Sequence, residues 1–138
     1  MSGLVRFGVS LESSLLEKFD RLIKKKSYST RSEALRDLIR QELIKKEWED
    51  DEEVAGAITF IFDHHLRGLT SRLTDVQHNH QEIIISSQHI HLDHHNCLEI
   101  VAVKGRATEV QRLAHALQSV KGVRHGTLSM TSTGKSLG

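Results

Sequence analysis

The sequence predicts an α+β protein of two parts, a strand with two helices followed by a β-α-β-β-α-β unit. Three observations predict this class. Apolar side chains alternate over the first eleven residues, helical apolar stripes fill residues 11–43, and strand and helix patterns follow one another after residue 53. We expect the boundary at an acidic run, with one domain over residues 1–48 and a second over residues 49–138.

Length and composition limit the class of protein. A chain of 138 residues with 38% hydrophobic content can form one ordinary domain or two small ones. The sequence has no run of about 18 apolar residues, which a membrane helix needs, and no signal-peptide pattern at its start. The single cysteine cannot form an internal disulfide, which agrees with a reducing compartment. We therefore expect a soluble, cytoplasmic protein.

The net charge of +1 conceals a strong asymmetry along the chain. Residues 1–46 hold eleven Lys and Arg against six Asp and Glu, whereas residues 47–53 hold six acids and no base. The rest of the chain is close to neutral. A basic segment before an acidic run makes the first domain the candidate for binding nucleic acid, although charge alone would indicate no more than a solvated pair of helices.

The first strand has no nearby partner in the sequence. One face of it carries apolar side chains and the other small or polar ones, which are Val5, Phe7, Val9 and Leu11 against Arg6, Gly8 and Ser10. The next strand pattern lies about fifty residues later. A lone strand cannot satisfy its backbone hydrogen bonds, so we expect it to pair with the same strand of a second chain in an antiparallel ribbon. This one strand predicts a dimer.

Two helices follow the strand. An apolar stripe runs from Leu11 to Ile23, the polar run 24–29 ends it, and a capping box of Thr30 and Glu33 starts the second helix. That helix ends in the acidic run, which then becomes a linker, and Trp48 either packs against the next domain or anchors the helix end. Near the helix start lie three side chains suited to a phosphate, Arg31, Ser32 and Arg36.

A basic, dimeric strand-helix-helix unit resembles the ribbon-helix-helix DNA-binding domain. In that family the paired strands enter the major groove, where a β-ribbon can contact base edges. The resemblance places Arg6, Gly8 and Ser10 at the bases, with Arg6 suited to guanine and Ser10 to either base type. Gly8 departs from the family pattern, because it offers no side chain for readout.

The second part follows the order of a ferredoxin-like fold. Strand patterns cover residues 55–62, 83–92, 98–103 and 123–131, and helical stripes cover residues 66–76 and 110–117. This order predicts a four-stranded antiparallel sheet with both helices on one face. The open face would then be available to another copy of the chain.

Metal-ligand residues are concentrated in the predicted hairpin of this sheet. In a strand over residues 86–92, His89 and His91 share one face, and a turn at 93–96 returns Cys97 beside them. Separately these are weak signals, since a single Cys is more often a buried hydrophobe. Together the three residues could hold one metal ion and would leave one coordination position for water, substrate or another residue. The sulfur favours a borderline or soft metal. With the open face packed on another copy, the three residues could lie at a subunit interface.

The whole chain resembles the nickel-responsive transcriptional regulators, which join a ribbon-helix-helix domain to a ferredoxin-like, ACT-type domain. The resemblance rests on residues 28–37, Gln77-His78, His89-Ile90-His91, Cys97-Leu98-Glu99 and residues 122–126. It implies one Ni(II) per chain in a homotetramer, a dimer of dimers, with the ligands His89, His91, Cys97 and, from an adjoining subunit, His78. It also implies a double-stranded DNA operator and repression of nickel uptake genes.

The resemblance further implies supporting residues. Gln77 and Glu99 match positions beside the metal, with an ordinary ion pair as an equal alternative for Glu99. Glu33 and Asp37 match a second cation site, with surface pairing to lysines as the alternative. The remaining histidines lie outside the matched pattern and indicate surface or weak secondary metal binding, and these are His64, His65, His80, His94, His95, His115 and His125.

The residues by themselves leave other metals and other functions open. A planar, nitrogen-rich site suits Ni(II) or Cu(II), whereas a tetrahedral one favours Zn(II). A metal-dependent hydrolase would use the same histidines and cysteine with Glu99 as base, although the dimerising strand argues against it. An ACT-type metabolite-sensing regulator would use the DNA-binding domain without any metal.

Overall fold

The fold of residues 3–138 is described from a computed structural model, and from α1 onwards it has the order of helices and strands that the patterns predict. The elements are α1 Ser13–Lys25, α2 Arg31–Glu49, β1 Glu53–Asp63, α3 Leu69–Asn79, a 3-10 turn Gln81–Ile83, β2 Ile84–His91, β3 Asn96–Arg106, α4 Ala107–Gln118 and β4 Val123–Thr131. The chain divides into two compact units. The first holds the residues up to Leu43 with the two C-terminal residues, and the second is Ile44–Ser136.

The segment before α1 is not a strand in the single chain. Residues 3–12 have no regular secondary structure, and the side chains of Val5, Phe7 and Val9 are exposed. A strand exists through hydrogen bonds to a neighbouring strand, and among residues 3–138 none pairs with this segment. The predicted ribbon therefore remains a prediction that needs a second chain.

The predicted capping box is present at the start of α2. The Thr30 hydroxyl accepts a hydrogen bond from the Glu33 amide at 3.1 Å, and the Glu33 carboxylate accepts one from the Ser29 amide at 3.1 Å. The return bond thus reaches one residue further back than in the standard box. Between the helices the chain turns at Ser27, whose φ is +63°. These contacts explain why the polar run 24–29 separates two helices.

α2 continues through the boundary predicted at residue 48. Trp48 is buried against the sheet, and its indole Nε1 donates a hydrogen bond to the Thr131 carbonyl at 2.8 Å. Ile44 packs against the same core, which explains why the second compact unit begins there. Of the two roles considered for Trp48, the structure shows the packing one. The acidic run contributes its last residues to a short turn, Asp50–Glu52, between α2 and β1.

The second unit contains the predicted four-stranded antiparallel sheet. The strand order is β2-β3-β1-β4, so β1 and β3 are central and β2 is an edge strand. Apolar side chains of one face pack with α3 and α4. The largest fully buried side chains in the core between the sheet and these helices are Phe60, Phe62, Ile58, Leu69, Leu113, Leu117, Val54, Val101, Val103, Val110 and Cys97.

The register corrects which face of the sheet carries the metal-ligand residues. Directly opposite residues of paired strands point to the same face, and Cys97 lies opposite both His91 and Phe62. Phe62 is fully buried in the helix-covered core. His91 and Cys97, with His89 two residues earlier, therefore lie on the helix-covered side. The expectation that tied them to the open face was wrong, because hairpin alternation shows which residues share a face and not which face is covered.

Candidate metal centre and nucleic-acid surface

Cys97 lies on the middle one of three neighbouring strands. It is the second residue of β3, between His91 of β2 and Phe62 of β1, and it is fully buried. The predicted return of the hairpin is confirmed, since the turn at 93–96 places the thiol directly opposite His91. The backbone ladders on both sides keep the thiol in this position.

Two imidazoles converge on the thiol. The Sγ of Cys97 lies 3.0 Å from Nδ1 of His64 and 3.4 Å from Nδ1 of His91. One donor atom from each of the three residues lies within 4.8 Å of the others. The sequence prediction assigned His64 to surface or weak secondary binding. The signal that could have found it is its position directly after β1, because the end of β1 pairs with the start of β3, where Cys97 lies.

Burial controls the protonation of this group. It raises the pKa of the Cys97 thiol, and the carboxylates of Asp63, Asp93 and Glu99 raise it further. Burial lowers the pKa of His64, and the neighbouring His65 and His91 lower it as well. Both shifts favour the neutral forms, so a thiol faces a neutral imidazole in the metal-free chain.

His89 is oriented by a buried carboxylate. It lies opposite Glu99 in the β2–β3 ladder, with Nδ1 3.5 Å from Glu99 Oε1. Gln77 of α3 donates a hydrogen bond to the other oxygen of Glu99 at 2.5 Å. The His89 ring also stands edge-on to Phe62, with ring centroids 5.6 Å apart. These contacts leave Nε2 of His89 as the nitrogen free to bind a metal.

His78 lies apart from this cluster. It is exposed on α3, next to Gln77, whose side chain reaches Glu99. Consecutive residues of an α-helix point about 100° apart, so His78 and Gln77 face different directions. Within the single chain His78 is not among the residues grouped with the thiol.

The donor set fits a borderline transition metal. A thiolate with two or three imidazole nitrogens is the combination that binds Ni(II), Cu(II) or Zn(II), whereas Mg(II) and Ca(II) prefer oxygen ligands. His91, His64 and Cys97 already converge, and the His89 ring centroid is 5.1 Å from that of His91. The buried Glu99 lies 3.5 Å from Nδ1 of His89, and a carboxylate in such a position commonly orients a metal-binding histidine.

The residues predicted to contact DNA are exposed in the first unit. Arg6, Gly8 and Ser10 lie in the segment before α1, and a side chain at Gly8 would meet no atom within 4 Å. At the start of α2, Ser32 and Arg36 are exposed.

Arg31, also at the start of α2, is already paired. It donates two hydrogen bonds to Asp20 of α1, at 3.0 and 2.9 Å. A phosphate at this helix start would have to compete with that carboxylate.

Glu33 and Asp37 have partners other than lysines. Glu33 accepts the Ser29 amide, and Asp37 accepts the Tyr28 hydroxyl at 2.6 Å. Arg40 lies 3.9 Å from the second oxygen of Asp37. The surface pairing with lysines that the sequence left open is not what holds these two carboxylates.

Among residues 3–138 no helix combines the length and the apolar content that crossing a bilayer requires.

Comparisons with known proteins match both units. Residues 5–46 match the family model of ribbon-helix-helix proteins of the CopG family, and residues 55–131 match that of the NikR C-terminal nickel-binding domain. An uncharacterized protein from Thermotoga maritima has a solved structure that is similar with a TM-score of 0.52. It covers 57% of this chain and 98% of its own, at 14% identity, and therefore shows likeness of fold alone.

Relatives match nearly the whole length. A protein from Syntrophus aciditrophicus is 61% identical and covers 98% of this chain and 98% of its own. One from Nitratidesulfovibrio vulgaris is 56% identical and covers 99% of each. Both are assigned as nickel-responsive regulators. With both family models matched in the same order, this chain belongs to the family of nickel-responsive regulators, and it is a DNA-binding transcriptional regulator rather than an enzyme.

Proposed function

We propose that this chain represses nickel uptake genes when it binds Ni(II). The observation that carries the proposal is the position of His91 next to the buried thiol of Cys97, with the ring of His89 beside that of His91. This group lies in the domain that matches the nickel-binding family model, and the same chain carries a DNA-binding domain. A metal-sensing site and a means of contacting DNA are thus joined in one polypeptide.

The proposed ligands are His89, His91 and Cys97, with His78 from a neighbouring copy of the chain. The exposure of His78 on α3 supports this, because it leaves the imidazole accessible to a second chain. We further propose one Ni(II) per chain in a homotetramer, a dimer of dimers, which is what the resemblance to the family implies. His64 pairs with the thiol when no metal is present and is not one of the four.

The proposed DNA surface is a ribbon made by two copies of the segment before α1. The exposed apolar side chains of Val5, Phe7 and Val9 support this pairing, since association with a second chain would give them a surface to pack against. Arg6 and Ser10 would then face the bases of a double-stranded operator, and the start of α2 would approach the phosphates. Gly8 would admit close approach of the backbone without reading a base.

The proposed coupling depends on a difference in metal affinity between two arrangements of the subunits. Bound Ni(II) would link chains through one shared set of ligands. The chain's own contribution is to hold His89 and Gln77 on the two sides of Glu99, which connects α3 to the sheet. An arrangement that binds the metal better becomes more populated when the metal is present, and DNA affinity changes with it.

The proposed location of the protein is the cytoplasm, because that is where it would meet its operators.

DNA binding with and without nickel tests the proposal. We would select bound sequences from a random duplex pool with nickel-loaded protein, then titrate a selected duplex by fluorescence anisotropy at fixed salt. We expect at least tenfold tighter binding with Ni(II) than after chelation, and no such difference for Cys97→Ala. The exposed His115 provides the control, since His115→Ala removes an imidazole that belongs to neither group of possible metal ligands. Equal affinity with and without nickel in the unaltered protein would contradict the proposal.

A further inference from the structure

We propose that Asp63, His65 and His95 form a second metal site, which takes a divalent transition-metal ion of borderline softness. The site uses none of the residues proposed to hold nickel at Cys97. One donor atom from each of its three residues lies within 4.8 Å of the others. Two imidazole nitrogens and a carboxylate oxygen are the donors that Zn(II), Ni(II) and Cu(II) accept in proteins.

The distances are close to those that a bound ion requires. The Asp63 oxygen Oδ1 lies 3.2 Å from Nδ1 of His65. Ligands about 2.0 to 2.2 Å from a tetrahedral ion lie roughly 3.3 to 3.6 Å from one another. The ring centroid of His95 is 5.4 Å from that of His65. Both side chains are exposed, so a small rotation would bring the three donor atoms within reach of one ion. The ring of His94, 5.3 Å from His65, provides a further nitrogen nearby.

The two chain segments that carry these ligands are joined by the sheet. Asp63 is the last residue of β1 and pairs with Asn96, the first residue of β3. His95 precedes Asn96, so the ladder itself brings the carboxylate and the second imidazole together. The Asp63 side chain is 16% exposed while that of His65 is 47% exposed. A shielded carboxylate therefore faces imidazoles that solvent and ions can reach.

The two groups of ligands have no residue in common. His64, His91 and Cys97 form one group, and Asp63, His65 and His95 form the other. His64 contacts Cys97, and its ring centroid is 4.0 Å from that of His65. The two groups are thus neighbours with separate ligand sets. The second lacks sulfur, so it lacks the soft ligand of the Cys97 group and is expected to hold its ion more weakly.

Equilibrium dialysis against Ni(II), with absorption spectra recorded on the same samples, tests this site. We expect two nickel ions per chain in the unaltered protein. The double variant His65→Ala/His95→Ala should bind one fewer while keeping any thiolate-to-nickel absorption. Cys97→Ala should lose that absorption and keep the ion that depends on His65 and His95. The matched control, His115→Ala/His125→Ala, removes two exposed histidines outside the site and should bind as many ions as the unaltered protein.

The outcomes separate this inference from the proposed function. If the double variant binds as many nickel ions as the unaltered protein, the second site does not exist. If the unaltered protein shows no thiolate absorption, the proposal for Cys97 fails, while loss of an ion in the double variant would still support the second site. His65→Gln/His95→Gln repeats the test with polar side chains. Equal thermal unfolding midpoints for metal-free variants and unaltered protein establish that the fold is retained.

Discussion

The thiol of Cys97 lies 3.0 Å from Nδ1 of His64, although the two residues are 33 positions apart in the chain. The contact arises because β1 and β3 are paired and His64 follows β1 on the side that faces the thiol. Burial disfavours the charged form of each partner. The metal-free chain therefore pairs its thiol with an imidazole that the proposed nickel site does not use.

The first prediction concerns that imidazole. His64→Ala should leave one nickel at the Cys97 centre, with its thiolate-to-nickel absorption band at the same wavelength, because the proposed ligands remain. His89→Ala removes an imidazole from the same side of the sheet and should abolish tight binding. Titration of both variants with Ni(II), followed by absorption, is the measurement. Loss of the band in His64→Ala would make His64 a ligand and favour the single-chain group of His64, His91 and Cys97.

The second prediction concerns the carboxylate that orients His89. Glu99→Gln should weaken nickel binding by about 10- to 100-fold, which is the usual effect of changing a carboxylate that supports a metal-binding histidine. Glu99 is nearly buried and lies between Gln77 and His89, so the substitution changes both contacts with little change in size. A competition titration with a chelator measures the affinity.

The matched control for Glu99 is an exposed glutamate. Glu82→Gln makes the same chemical change in the 3-10 turn that precedes β2. It should leave nickel affinity within about twofold of the unaltered protein, since surface charges are largely screened by salt. Equal losses in the two variants would mean that general charge, and not the orientation of His89, controls affinity.

Hairpin geometry was predictable from the sequence, whereas relations between distant strands were not. The turn at 93–96 and the alternation in β2 suffice to put Cys97 beside His91. The contact between Cys97 and His64 and the identity of the covered face depend on the pairing of β1 with β3, which local patterns do not specify. Trp48 illustrates the same limit, because its hydrogen bond joins α2 to Thr131 at the end of β4.

The strand before α1 shows a different limit. Its alternating pattern is clear in the sequence, but a strand needs hydrogen bonds to a neighbouring strand, and none of the strands within residues 3–138 supplies them. In the single chain the segment has no regular secondary structure, and its apolar side chains are exposed. The pairing with a second chain therefore stays a prediction, and neither the sequence nor the single-chain fold supplies the register of such a pair.

The third prediction tests the proposed DNA surface. Arg6→Ala should weaken binding to a selected duplex by about 1 to 3 kcal/mol, or roughly 5- to 150-fold, if Arg6 contacts a base. Arg6 is exposed, so the fold of the monomer should not change. Fluorescence anisotropy at fixed salt measures the affinity. Arg124→Ala, which removes the same charge from β4, should cause a much smaller loss, and similar losses in both variants would reduce the role of Arg6 to general attraction.

The fourth prediction concerns the turn that joins α2 to the sheet. Asp51 accepts hydrogen bonds from the amide and the hydroxyl of Thr108, each at 2.8 Å, and lies 2.8 Å from Arg106. It thereby supplies the cap that α4 lacks, since Arg106 at the N-cap position makes no side-chain capping bond. The Thr108 bonds and the Arg106 guanidinium hold the pKa of Asp51 below its usual value.

A carboxyl group whose pKa is lowered by folding stabilises the folded state when it is ionised in both states. That contribution is complete above the unfolded pKa of about 3.9 and is lost as the pH falls through the lower pKa of the folded state. Asp51→Asn should therefore lower the urea midpoint near pH 6, and the difference should shrink below about pH 4. Asparagine tolerates the positive φ of +54° at this position, so the substitution isolates the charge. Asp75→Asn, an exposed change on α3, is the control, and a midpoint difference at Asp51 that does not vary with pH would exclude the ionised cap.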